Sequence, residues 1–338
     1  MVNNKLKSYY TVAVSQTISS DGKHLFVGTN FGEILLFSIE NLTKDITDES
    51  LSAPETKIGS NTEPLQIFQA SDKSQIYSLS FFNDFLIVGT NAEITGYSFK
   101  GQQISSKKAW EVRIPSSPEN AELNEINCFW LDRDAGNLYA GCGDNNIYNV
   151  SLEDGKILRT FNGHTNYIHS VDGNAKSAQI VSASEDGSVR VWDARSRKSS
   201  SKIEPYKKDQ LARPEFGKWQ GTVAFNNDWL ICGGGPRFSM WHLRSNEVTQ
   251  VFDFPEKIHI CGFLDDQVLV GGDYKTVRQY NFNGDLVTEL PVSSPSIYSA
   301  VWQSSPHKLL CFGGSSNILD VCTNFNYRDI CLKLHPGN

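Results

Sequence analysis

Three sets of residues in this chain have types and spacings that could do chemistry. Gly233, Gly234 and Gly235, followed by Pro236 and Arg237, could cradle a phosphate on backbone N–H groups. His164 and Asp186 could share a proton as a general acid–base pair. Seven cysteines, at 128, 142, 232, 261, 311, 322 and 331, could hold a metal or pair as disulfides. Each option places a demand on its surroundings. A phosphate loop runs into a helix and usually carries a Lys that reaches the ligand. Here RFSMWHL follows, alternating as a strand does, and there is no GK[ST]. The cysteines are odd in number, never spaced C-x-x-C and mostly set among apolar residues, so they read as reduced core thiols. Neither G-x-S-x-G nor H-E-x-x-H occurs. The expectation is no enzyme, no cofactor, no metal and no small-molecule substrate.

Composition excludes further classes. A formal charge of −7 and a pI near 5.5 do not suit a protein whose main work is coating a phosphate backbone, which needs clustered Lys and Arg. No run approaches the roughly 18 apolar residues of a membrane span. The N-terminus MVNNKLKSYYTVAV lacks the charged and apolar regions of a secretory signal, which predicts an intracellular chain and makes the sequons at Asn41 and Asn149 incidental.

The elements that would position these residues repeat along the chain. HLFVGTNFGEILLF, FLIVGTNAEITGYSF, NLYAGCGDNNIYNVSL, QIVSASEDGSVRVWD, WLICGGGPRFSMWHL, QVLVGGDYKTVRQYNF and KLLCFGGSSNILDVCT each read as strand, Gly- or Asn-containing turn, strand. A further strand precedes each pair, and an outer strand follows at 65–69, 109–114, 156–161, 200–206, 247–252, 286–291 and 328–334. Seven units average about 48 residues, slightly above the roughly 40–45 of one such repeat. The prediction is an all-β, seven-bladed β-propeller occupying 1–338 as one domain. Its last blade is completed locally by 328–334, with 5–10 as the rival closing strand.

One unit is explicit. Residues 163–193, from Gly163-His164 to Trp192-Asp193, resemble the WD40 repeat family. The resemblance implies a buried tetrad of His164, Ser182, Asp186 and Trp192, with Ser184 able to replace Ser182 because both point the same way. A carboxylate so placed needs hydrogen bonds, and the tetrad reads as a lock rather than a catalytic dyad. In the same alignment Gly235 stands where Asp186 does and Trp241 where Trp192 does. The three glycines then form a tetrad-less turn in blade 5, where positive φ would call for Gly.

The run 229–245, with FNGHTNYIHSV, SEDGSVRVWDAR, RPEFGKWQG and TNFNYRDICL, is similar to the THO complex subunit 6 family of WD40 proteins. That resemblance implies a non-enzymatic scaffold of the nuclear THO complex, within the transcription-export (TREX) machinery, that supports mRNA processing and export. Its implied partners are other THO subunits, especially helical or coiled-coil ones, with RNA contact indirect or minor. The fold alone would equally suit a substrate receptor of a cullin-type ubiquitin ligase or another adaptor. Turns between second and third strands lie on one edge of the blades together with the inter-blade connections. That edge carries Tyr167, Arg237 and 204–219, and Arg213, Phe216, Trp219 and Arg237 are the candidate partner-binding residues. The insertion at 43–63, polar and almost without aromatics, reads as a flexible loop on the opposite edge, which also carries the basic run 194–202.

Overall fold

The computed structural model describes residues 4–44, 63–115, 124–196 and 198–335. It contains seven four-stranded antiparallel sheets, each paired in chain order from first to fourth strand, so the fold is an all-β, seven-bladed β-propeller. Blade 1 is Ala13–Ile18, His24–Thr29, Glu33–Ser38 and Gln66–Gln69; blade 2 is Ser78–Phe82, Phe85–Gly89, Glu93–Lys100 and Gln103–Arg113. Blade 3 is Ile126–Asp132, Asn137–Cys142, Ile147–Ser151 and Ile157–Phe161; blade 4 is Ile168–Asn174, Gln179–Ser184, Val189–Asp193 and Ser199–Ile203. Blade 5 is Gln220–Asn226, Trp229–Gly234, Ser239–His242 and Glu247–Val251; blade 6 is Ile258–Leu264, Gln267–Gly272, Thr276–Asn281 and Leu286–Pro291. Blade 7 is Ile297–Gln303, Leu309–Gly314, Ile318–Cys322 and Ile330–Lys333.

The strands divide between two compact units. Blades 7 and 1, most of blade 2 and the last two residues of blade 6's outer strand form one; blades 3 to 5 and the rest of blade 6, with Asn91–Ile94 and the end of blade 2's outer strand, form the other. In the first unit, successive residues of one strand serve two cores. Leu25 and Val27 pack with Leu309, Cys311, Leu319 and Val321 of blade 7, while Phe26 between them packs with Phe81 and Val88 of blade 2. A strand covered on both faces reads as a continuous apolar run rather than an alternating one, which is why HLFVGT looks as it does. In the second unit Val181, Ala183 and Val189 meet Val223, Leu230 and Cys232, and Ala224, Ile231 and Met240 meet Ile258, Val268 and Val270. Each fully buried large side chain contributes about 1.5–3 kcal/mol relative to exposure.

Polar side chains on the innermost strands join neighbouring blades. Ser15 Oγ donates to Ile76 O at 2.9 Å and Gln16 Nε2 to Ser299 Oγ at 2.9 Å in one unit. In the other, Asn127 Nδ2 donates to Ile168 O at 3.0 Å, Phe225 N to Asp172 Oδ2 at 2.8 Å and Cys261 N to Thr222 Oγ1 at 3.1 Å. Burial raises the Asp172 carboxyl to about 6 despite its backbone donors.

Blade 7 takes all four strands from the C-terminal part of the chain, and residues 4–10 form a short helix instead of a closing strand. That helix is tied to the first unit by Asn317 Nδ2 donating to Ser8 O at 2.6 Å, and by Lys7 on Glu33, which His335 also contacts at 3.0 Å. A second helix, Ile39–Lys44, follows blade 1's third strand. Of the insertion expected at 43–63, residues 45–62 lie outside the described residues.

Candidate interaction site on blades 4 to 6

His164, Ser182, Asp186 and Trp192 are joined in one hydrogen-bonded chain. Trp192 Nε1 donates to Ser182 Oγ at 2.9 Å, and Ser182 Oγ lies 2.7 Å from His164 Nε2. His164 Nδ1 lies 2.9 Å from Asp186 Oδ2, and Asp186 Oδ1 accepts from Ser188 Oγ at 2.6 Å and Ser188 N at 2.8 Å. Since indole can only donate and carboxylate only accept, the Ser182 hydroxyl donates to Nε2 and the imidazole carries its proton on Nδ1. Burial lowers the His164 pKa, outweighing the Asp186 contact, so the ring is neutral. Burial pushes Asp186 upward, yet its hydrogen bonds from His164 and Ser188 outweigh that and hold it well below the usual range. Ser184 does different work: its hydroxyl donates to Asn166 O at 2.9 Å and accepts from Asp186 N at 3.1 Å. With Ser182 and Trp192 fully buried and His164 only 6% exposed, the array holds the blade together and offers no face to a substrate.

In blade 5 the glycines require a correction. Counted from the third strands, where Ile180 faces Trp192 and Leu230 faces Trp241, Gly235 stands at the level of Asp186; counted from the second strands, where Ile168 faces Ser184 and Gln220 faces Gly234, it stands at the level of Glu185, because the blade 5 turn is one residue shorter. Positive φ occurs at none of Gly233, Gly234 and Gly235. Space is what excludes a side chain. A Cβ on Gly234 would stand 2.2 Å from Trp219 O, one on Gly235 2.3 Å from Gly217 O, and one on Gly233 2.8 Å from Ile258 Cδ1. The backbone of the connection from blade 4 lies directly on this turn, and strand Ser239–His242 follows where a phosphate loop would have its helix. Trp241 Nε1 donates to Ser239 Oγ at 2.9 Å in place of a tetrad.

Arg213, expected to face a partner, is turned inward and is only 5% exposed. Its Nε donates to Gly235 O at 2.8 Å, Nη1 to Phe254 O and Pro255 O at 3.1 Å, and Nη2 to Glu256 O at 3.0 Å and Pro236 O at 3.2 Å. A planar fork of donors can hold several carbonyls that a single-point donor would leave bare. Arg213 thereby fastens the 204–219 connection to blade 5's turn and to the connection entering blade 6. Phe216 is half-buried beneath it, with the guanidinium 4.8 Å from the ring centroid. Trp219 is half-buried and donates from Nε1 to Phe216 O at 2.9 Å, while Arg237 is exposed.

Trp219 ends in a cluster that sequence reasoning missed. Its ring stacks on His259 at 5.4 Å between centroids and 25°, and meets His169 edge-on at 6.1 Å. His169 Nε2 pairs with Glu185 at 2.8 Å, and His259 Nε2 with Asp273 at 2.8 Å. Both histidines occupy the extra residue of a β-bulge at the start of an inner strand, between Ile168 and Ser170 and between Ile258 and Ile260. A bulge re-aims its extra side chain out of the alternating pattern. The signal was present as Ile-His at the same place in two repeats, each with an acid just after the second strand.

Comparison with known proteins fits this geometry. The family model for the WD domain, G-beta repeat, matches residues 155–193, the part of the chain holding the tetrad. Across its whole length the chain is 43% identical to THO complex subunit 6 of Drosophila melanogaster, covering 93% of that protein. The chain belongs to the THO complex subunit 6 family. THO complex subunit 6 homolog of Danio rerio is 34% identical over 94% of this chain and 96% of its own length. THO complex subunit 6 of Homo sapiens is 33% identical over 97% of this chain and 94% of its own length. Family likeness thus extends through all seven blades, well beyond the one repeat a general model detects.

Proposed function

We propose that this chain is a non-enzymatic WD40 scaffold of the nuclear THO complex, acting as one propeller domain in the assembly that processes and exports mRNA. The observation that carries the reading is full-length likeness to proteins named THO complex subunit 6. A buried tetrad without access for substrate agrees with a scaffold, and the acidic balance agrees with protein rather than RNA as the direct partner. Partners are other THO subunits, helical or coiled-coil ones foremost. Docking uses the edge of blades 4 to 6 where Arg237 on blade 5's turn, and Phe216 and Trp219 on the connection that Arg213 fastens, reach the surface.

The test is affinity purification of the tagged chain from nuclear extract followed by crosslinking mass spectrometry. Recovery of THO subunits, with crosslinks to Lys207, Lys208 and Lys218, is the expected result. Recovery of cullin-ligase components without THO subunits overturns the reading.

A further inference from the structure

Blades 4 to 6 of the second unit treat equivalent positions differently. In blade 4 the bulge residue and the first residue after the second strand are His169 and Glu185; in blade 6 they are His259 and Asp273. In blade 5 both are glycine, Gly221 and Gly235. A Cβ on Gly221 would stand 2.4 Å from the Trp219 ring, so the indole occupies the space that a third His–acid pair would fill. The result is one array: two imidazoles on either side of an indole, with a carboxylate behind each imidazole.

This array has the attributes of a cation receptor. The Trp219 indole lies against both imidazoles, and an indole π face attracts cations. Glu185 and Asp273 keep 40% and 33% of their side-chain surface exposed, leaving them reachable from solvent. Lys218, adjacent to Trp219, carries its ammonium 5.9 Å from the Tyr206 ring centroid. A bare metal ion does not fit, because no group of three His, Cys, Asp or Glu side chains converges among the described residues. Guanidinium fits better than ammonium: it is planar, stacks on rings, is weakly hydrated and donates to carboxylates in pairs.

We propose that His169, Trp219 and His259, with Glu185 and Asp273, form a receptor for an arginine side chain presented by a protein partner. The chain's charge of −7 adds long-range attraction for such a partner. The site is independent of which complex the chain joins.

The test uses the full chain with ¹³Cε1-labelled histidine, whose seven resonances are few enough to assign with His169→Gln and His259→Gln. Nα-acetyl-arginine methylamide is the probe. Expected are saturable shifts of the His169 and His259 signals, no such shifts with the neutral citrulline analogue, and weaker binding of the lysine analogue. Glu185→Gln with Asp273→Asn weakens binding at least tenfold. Absence of saturable shifts, an equal response to citrulline, or unchanged affinity in the double variant overturns the proposal. Tighter binding of free arginine than of the blocked form rejects a protein ligand. If the double variant unfolds, judged by the other five resonances, Glu185→Gln alone is measured, and unchanged affinity there overturns the proposal equally.

Discussion

Removing the Arg213 guanidinium is the most direct way to test whether that side chain holds its loop or serves a partner. Arg213→Ala withdraws one buried cation from the carbonyls of Gly234, Gly235, Pro236, Phe254, Pro255 and Glu256, all within 3.4 Å of it. Hydrogen bonds to a charged group contribute about 1.5–3 kcal/mol each, and counting only the two shortest gives a loss of about 3–6 kcal/mol. With an unfolding entropy near 2.1 cal/mol/K per residue, that is a fall in melting temperature of about 4–8 °C. The assay is differential scanning calorimetry of parent, Arg213→Ala and Arg213→Lys. Lysine has three donors on one nitrogen and cannot span the same carbonyls, so it recovers no more than about half of the loss. A melting temperature for Arg213→Ala within about 1 °C of the parent would refute the reasoning, since that outcome matches a solvated surface Arg. So would complete rescue by lysine.

Three further outcomes follow from the packing and the titrating groups. Gly234→Ala drives a Cβ to 2.2 Å from Trp219 O, against the backbone of Gln220 and Gly221 as well, and costs about 2–3 kcal/mol in urea denaturation; an unchanged midpoint contradicts the close approach. His164 is held below its ordinary 6.5 by burial, so only the unfolded chain takes up that proton as pH falls below 6.5, and stability declines from there downward. His24, lowered chiefly by burial, adds to the decline with the same sign, and Asp186, held well below its ordinary 3.8 although burial alone would raise it, brings a further loss below 3.8. Melting curves across pH check this, and His164→Gln flattens the first decline. All seven thiols are free and burial raises every one of them, Cys128 and Cys232 to about 12. A disulfide reagent at pH 8 therefore finds less than about one reactive thiol in the native chain and seven after denaturation.

The fold was legible because the repeat writes it several times over. Short apolar strands, turn residues between them and a common spacing are local features, and seven copies of the same grammar leave little room for another architecture. Blade 4 was legible down to its tetrad through its resemblance to the WD40 repeat, which implies those four residues. Ser182 against Ser184 was not, because a period of two gives both the same direction and only the hydrogen-bond partners separate them.

What the amino-acid sequence determined by itself is therefore the set of strands, their order and the one explicit blade. Tertiary structure decided where the irregular residues act. Arg213 looked like a docking residue because it shares an inter-blade loop with aromatics, yet its partners are carbonyls up to 43 residues away, and such bonds leave no period in a sequence. The glycines of blade 5 suggested unusual dihedrals, yet what excludes a side chain is the backbone of a loop from the preceding blade. His169 and His259 lie 90 residues apart, each turned out of its strand by a bulge, and only the packing of adjacent blades brings both against Trp219.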